Sequence, residues 1–408
     1  MPRRLLRIAS GGLALLVLGA LFVYLSEPVF WRRLVTFPGS DAITAVDWYQ
    51  PLEEVPGEER AELVMAGPEQ RRISQAALSE VLAYGSETGS VALLVWHDGA
   101  LQLEHYWPGY DRNTRTDSSS LHKTVLGLLY GAAISDGVIR SPDEPAASYL
   151  PEWRGDARAK IRIRDLLQMS SGLEVVAFSA NPFTRWWQLL LGEDVTSVSL
   201  SVPAVRAPGE QFEYSNFNSQ ALGVALQRAS GKRYAQYLSE RLWSRLGAGS
   251  ASVWLDHEGG MARTYCCLQT TARGWLSVGR LILDQGRVGH EQVVPASWIA
   301  RMTTPAPANR NYGLHLWLGS PAGATRGYNS RSRFRARHSE PFAAADVVFL
   351  DGNGGQRVYV IPSAQLVIVR TGAAGADWDD ARLPTEILRG IVRPGAPPPA
   401  EAGSGPGR

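Results

Sequence analysis

The sequence predicts a mixed α/β (α+β) fold, an antiparallel sheet flanked by helices and interrupted by an all-helical insertion. Two observations predict it. Strand-like runs occur early, at Val91–Trp96 and Leu101–Tyr106, and again late, at Val347–Leu350, Arg357–Ile361 and Leu366–Thr371. Between them, from about 152 to 247, the apolar spacing is that of helices joined by loops. Strands at both ends with helices between imply a single antiparallel sheet that the C-terminal segment completes.

Met1–Arg7 carries Arg3, Arg4 and Arg7, and residues 8–25 are uncharged and mostly apolar, a length that just spans a bilayer. Bulky residues at its exit, Phe22 to Ser26, favour an uncleaved transmembrane anchor over a cleaved signal peptide, which would leave a soluble periplasmic domain. The arginines put residues 1–7 in the cytoplasm and the main domain outside, although Arg32 and Arg33 weaken the asymmetry. Residues 26–70 read as a juxtamembrane segment of no legible role, and 71–393 as the main domain.

Ile73–Tyr84 places Ile73, Ala77, Val81 and Leu82 on one helical face. His97-Asp98-Gly99-Ala100 is a hairpin turn between the two early strands. From Ser120 to Gly137 the pattern reads as one amphipathic helix, with Leu121, Val125, Leu128, Leu129 and Ala132 on its apolar face. Within the insertion, Ile163–Met169, Asn218–Ser230 and Tyr234–Leu246 are helical, and Gly231 caps the second. Pro362-Ser363 turns the last two strands together, and a helix over about 379–392 closes the fold. Residues 394–408, rich in Pro, Gly and Ala, are expected to be a disordered tail.

With 408 residues, 45% of them hydrophobic, and 13 tryptophans, the chain can bury a large core. A net charge of +2 gives no basis for nucleic-acid binding. The one basic concentration runs from Arg326 to His338, where Arg331, Arg333, Arg335 and Arg337 alternate with small or apolar residues. It reads as a solvated loop, with contact to lipid headgroups or an anionic substrate as the alternative. Cys266 and Cys267 are adjacent, about 3.8 Å between Cα atoms, too close for an ordinary cross-link. They read as small buried hydrophobes. No histidine or cysteine spacing resembles a zinc site.

The chemistry concentrates at Ser120-x-x-Lys123, followed by Tyr214-Ser-Asn216. Three residues apart on a helix, Ser120 and Lys123 share a face. A serine hydroxyl needs a base, and a desolvated lysine is one of the few side chains able to serve. Free lysine and tyrosine both titrate near 10, so the site must lower at least one of them. The glycine pair at Gly354-Gly355 before a strand reads, alone, as a turn.

Ser120-x-x-Lys123, Ile163-Arg-Asp-Leu-Leu-Gln-Met-Ser-Ser-Gly172, Tyr214-x-Asn216 and Asp351-Gly-Asn-Gly-Gly-Gln356 together resemble the serine β-lactamase and penicillin-binding-protein superfamily. The resemblance covers roughly residues 70 to 393 and is nearest to the class C-like hydrolases, a branch of esterases, D-aminopeptidases and 6-aminohexanoate-dimer hydrolases. It implies a β-lactamase-like fold, with Ser120 as acylating nucleophile and Lys123 and Tyr214 sharing proton transfer. It also implies backbone N–H groups of Ser120 and Gln356 as oxyanion hole, and Asn216, Asn353, Gly354 and Gly355 against the substrate.

Asn353 stands where relatives usually carry a cation or a histidine, which disfavours β-lactams and favours uncharged esters or amides. Thr271-Ala-Arg-Gly274 replaces the usual Thr-Ala-Arg-Asp, a change expected at a helix cap. His122 reads as packed, Ser119 as a cap, and Trp186-Trp187 as either acyl-pocket wall or insertion core. The expectation is a membrane-anchored serine hydrolase on the periplasmic face of a bacterial inner membrane. It cleaves a small-molecule ester or amide without metal or organic cofactor; the alternative is a catalytically silent ligand-binding domain. The sequence does not reveal the oligomeric state.

Overall fold

The computed structural model describes residues 24–59, 63–375 and 377–392. Its main sheet has six antiparallel strands in the order Ala100–Tyr106, Ser90–His97, Leu366–Gly372, Gln356–Ile361, Val348–Gly352, Trp317–Leu318. The early hairpin thus pairs with the last strand, as its pattern predicts. Its turn is possible because Asp98 and Gly99 take φ of 46° and 91°, the positive values a type I′ turn demands.

Every residue of Ser90–His97 is buried, because both faces of the sheet are covered. Leu94, Trp96, Val358, Val360, Val367 and Val369 enter one core with the helix Ala272–Leu283; Leu93, Val95, Tyr359, Ile361 and Ile368 enter the other with helices Gln75–Glu87 and Arg382–Arg389. Each such aliphatic side chain contributes roughly 1.5–3 kcal/mol on leaving water. Gly279 sets the first helix close to the sheet, since a Cβ there would lie 2.6 Å from Val367 Cγ1. Thr271 does cap that helix, accepting from Gly274 N at 3.2 Å. A Cβ at Gly274 would fall 2.3 Å from Thr270 Oγ1, so the aspartate of relatives does not fit here without a shift.

The Ser120 helix departs from expectation. It begins as a 3-10 turn, Ser119–Leu121, and continues as the α-helix His122–Ser135. Its residues from His122 to Ala133 are all buried. It is therefore buried all round, its polar His122, Lys123 and Thr124 included, and wrapped by helices Asn216–Ser230, Tyr234–Arg241 and Ala296–Met302. The insertion is helical, as expected, and also holds helices Arg185–Leu191 and Val195–Leu200. A second sheet of four short strands, Leu52–Val55, Ala251–Trp254, Leu268–Thr271 and Arg115–Asp117, was not legible. Each is too brief to show a periodicity.

The expected placement as a single-pass inner-membrane protein is corrected. Among the described residues no helix is long and apolar enough to cross a membrane, and residues 8–23 of the expected anchor lie outside them. The helix Pro28–Val35, which follows the expected anchor, has eight residues, about 12 Å at 1.5 Å per residue, against a hydrocarbon core of about 30 Å. It packs on the insertion instead: Arg33 is buried and donates to Leu191 O, Gly192 O and Gln50 O. The tail at 394–408 also falls outside the described residues. Cys266 and Cys267 are buried as expected, but their sulfurs pair with each other in a vicinal disulfide. That ring closes locally and ties no distant segments together.

Candidate active site

Ser120 sits on a turn whose backbone is held from several sides. Ser118 N donates to Leu268 O at 3.0 Å, and Ser118 Oγ accepts from Leu268 N at 3.0 Å. Ser119 takes φ of +46°, a conformation that costs a non-glycine residue about 1–3 kcal/mol and persists only where neighbours impose it. Here Asp117 Oδ1 accepts from Ser119 N at 2.8 Å. Ser119 does not cap the helix, which has no side-chain cap. Its role is to turn Ser120 outward.

Lys123, one turn on, is 1% exposed. Its Nζ lies 2.9 Å from Ser120 Oγ, 2.9 Å from Asn216 Oδ1 and 2.7 Å from Tyr265 O. The rings of Tyr214 and Tyr265 stand 5.1 and 5.6 Å from it. None of these neighbours is a carboxylate. Burial without a counterion penalises the ammonium and lowers its pKa to about 7, with Asp351 opposing at longer range.

Asn216 opens the helix Asn216–Ser230, whose N-cap Ser215 accepts from Phe217 N at 3.3 Å. Tyr214, just before the cap, is pinned by its backbone: its N–H donates to Tyr328 O and its carbonyl accepts from Asn329 Nδ2, both at 3.0 Å. Its ring packs among Tyr312, Trp317 and Tyr328. Burial first, and the Asp351 charge second, push the phenol far above its usual value, against a hydrogen bond with Ser120 and the fields of Arg326 and Arg357. At neutral pH the arrangement therefore offers a serine, a substantially neutral amine and a phenol that keeps its proton.

The structure brings together the residues the sequence singled out. Ser120, Tyr214, Asn216, Asn353, Gly354 and Gly355 line one cleft of about 890 Å³, with Lys123 buried beneath Ser120. The Gly352–Gln356 hairpin abuts the Ser120 turn. A Cβ at Gly352 would lie 2.9 Å from Ser118 O, and one at Gly355, already at φ +70°, 2.6 Å from Trp378. Gln356 is wholly buried and its side-chain amide donates to Asp117 O at 2.8 Å, whereas Asn353 is exposed.

The open alternatives resolve. Trp186 and Phe178 line the cleft, while the Trp187 indole donates to Ser179 O at 2.8 Å within the insertion. His122 is fully buried between Cys266 O at 2.6 Å and Tyr234 OH at 2.8 Å, its pKa lowered by burial to about 4.

Sequence reasoning missed a buried charge quartet in the wall of the cleft, whose lining Asp351 and Arg357 reach. Asp351 lies 2.8 Å from Arg326 and 2.6 Å from Arg357, and Asp380 lies 2.7 Å from each arginine. Tyr328 OH donates to Asp351 at 2.6 Å. Arg326, expected in a solvated loop, is thus a core residue. Of the four, only Asp351 stood inside a recognised motif; nothing local marks Asp380.

Comparison with known proteins places the chain in a family. The family model described as beta-lactamase matches residues 78–388. The chain belongs to the beta-lactamase family. Among curated members, the 6-aminohexanoate-dimer hydrolase of Paenarthrobacter ureafaciens is 27% identical over 225 residues, 52% of this chain and 57% of that protein. The chain thus spans little more than half the length of that relative. Two solved structures share the fold of this family member. One, from Bacillus anthracis and provisionally assigned as a 6-aminohexanoate-dimer hydrolase, has a TM-score of 0.68 at 19% identity, covering 86% of this chain and 90% of its own. The other, a family VIII carboxylesterase, has a TM-score of 0.59 at 14% identity, covering 81% and 99%.

Proposed function

We propose that this beta-lactamase family member is a serine hydrolase that cleaves an ester or amide through an acyl-enzyme on Ser120. One observation carries the reading: an uncompensated amine with pKa near 7, Lys123, lies 2.9 Å from the Ser120 hydroxyl. Neutral Lys123 takes the hydroxyl proton as Oγ attacks the carbonyl carbon. The negative oxygen that forms is met by the N–H of Ser120 and a donor from the Gly352–Gln356 hairpin, Gln356 being the expected residue; each such donor is worth about 2.7–4 kcal/mol. The Tyr214 phenol gives its proton to the departing alkoxide or amine nitrogen, and the phenolate left behind takes the proton that Lys123 removed from Ser120, the acylated Oγ carrying none itself. Water, deprotonated in the same way, then attacks the acyl carbon and releases the acid and free Ser120.

The relatives fit both bond types, since one is named for hydrolysis of an amide dimer and another as a carboxylesterase. Asn216 holds Lys123 in place and presents its amide to the substrate. Hydrolysis of p-nitrophenyl hexanoate and of a short linear amide by wild type, absent in Ser120→Ala, is the expected result. Equal rates in the two proteins would refute the assignment.

A further inference from the structure

The basic run that the sequence leaves as a solvated loop is part of the active-site cleft. Arg331, Arg333, Arg335 and Arg337 lie on the short hairpin formed by Thr325–Gly327 and Arg335–Arg337 and on its connecting loop. All four line the cleft that contains Ser120, and all four are exposed. Four cations share this wall with little to neutralise them. Asp351, which also lines the cleft, is already engaged by Arg326 and Arg357 at 2.8 and 2.6 Å. Arg331 and Arg337 approach Glu174 and Asp379 only to 3.7 Å. Arg333 and Arg335 have no carboxylate partner among the described residues. Arg335 is oriented by its Nε donating to Thr325 Oγ1 at 2.8 Å.

Next to these arginines stands an apolar wall. Phe178 and Phe334 are 64% and 61% exposed; Phe178 packs edge-on to Trp186 with ring centres 5.0 Å apart, and Phe334 stacks on Tyr328 at 5.7 Å. A cleft lined by one sign of charge concentrates ligands of the opposite sign, and guanidinium forks hold carboxylates and phosphates bidentately. Asn353, in the Gly352–Gln356 hairpin, is neutral, so that hairpin loop itself adds no cation to the cleft.

We propose that the cleft takes a linear ester or amide with an apolar stem and an anionic far end, held by Arg333 and Arg335. This rests on the hydrolase reading above and narrows its substrate class.

The test compares the mono-p-nitrophenyl ester of adipic acid with p-nitrophenyl hexanoate, which has the same number of acyl carbons and no charge. The wild-type kcat/KM ratio should favour the adipate ester by about tenfold. In Arg333→Gln/Arg335→Gln it should fall to near unity, and in Arg301→Gln, an exposed arginine outside the cleft, it should be unchanged. A wild-type ratio at or below unity, or one that survives the double variant, overturns the anion subsite. Loss of hexanoate hydrolysis in Ser120→Ala alongside that result leaves the hydrolase reading standing.

A second readout needs no turnover. Fluorophosphonate labelling of Ser120 should be slowed by adipate or by hexyl phosphate in wild type and not in the double variant, and whichever protects better identifies the anionic group. Protection by neither overturns the subsite. Absence of labelling overturns the hydrolase reading and the subsite with it.

Discussion

The Lys123 amine and the Tyr265 carbonyl lie 2.7 Å apart, and this contact defines the character of the site. A backbone carbonyl orients the amine yet supplies only a partial charge, so the ammonium remains poorly compensated. Ser120 therefore faces an amine whose pKa burial lowers to about 7, with the charge of Asp351 opposing that shift.

Activity should rise with pH through about 7, as Lys123 loses its proton, and stay level to at least pH 9. Tyr214 is held protonated far beyond that range. A pH profile of kcat/KM for p-nitrophenyl hexanoate checks this. Stability has a related signature. Between about 7 and 10.5 the unfolded chain binds a proton at Lys123 that the folded chain does not, so folding stability rises with pH across that window. Lys123→Met should flatten that rise in urea titrations at pH 7 and pH 9.

Replacing Tyr214 by phenylalanine removes the proton donor to the leaving group but leaves Ser120 and Lys123 in place. The expected loss in kcat/KM is about 10²–10⁴-fold, with fluorophosphonate labelling of Ser120 retained. A Tyr214→Phe variant of full activity would remove the phenol from the mechanism.

Asp380→Ala leaves two buried arginines with one carboxylate between them. Breaking a buried ion network in this way is destabilising by about 3–5 kcal/mol. Thermal or urea denaturation should show it, and an unchanged transition would mean that the quartet is not a structural unit.

The early hairpin, the late strands and the all-helical insertion could be read in advance because their periodicity and turn residues are local properties of the chain. Ser120, Lys123, Tyr214 and Asn216 were legible because spacings of two or three residues are local and survive whatever the distant fold does. The short strands of the second sheet carry no such pattern. Asp380 and Arg326 meet Asp351 only through tertiary packing, and the all-round burial of the Ser120 helix depends on which elements surround it. The basic run illustrates the same limit. Its charge was plain in the sequence, but its place on the wall of the cleft was not. In the opposite direction, the apolar run at 8–25 suggested a membrane span that no described helix provides.

Asn353 supplies no cation close to Ser120, so a β-lactam, whose carboxylate lies near its scissile amide, lacks a partner there. A chromogenic cephalosporin should open slowly relative to p-nitrophenyl hexanoate. Rapid opening would show that another residue performs this role.

Intact-protein and peptide mass spectrometry after treatment with a fluorophosphonate probes the nucleophile most directly. One adduct, located on Ser120 and abolished in Ser120→Ala, is the expected result. An unmodified protein, or equal modification of the variant, would contradict acylation at this hydroxyl.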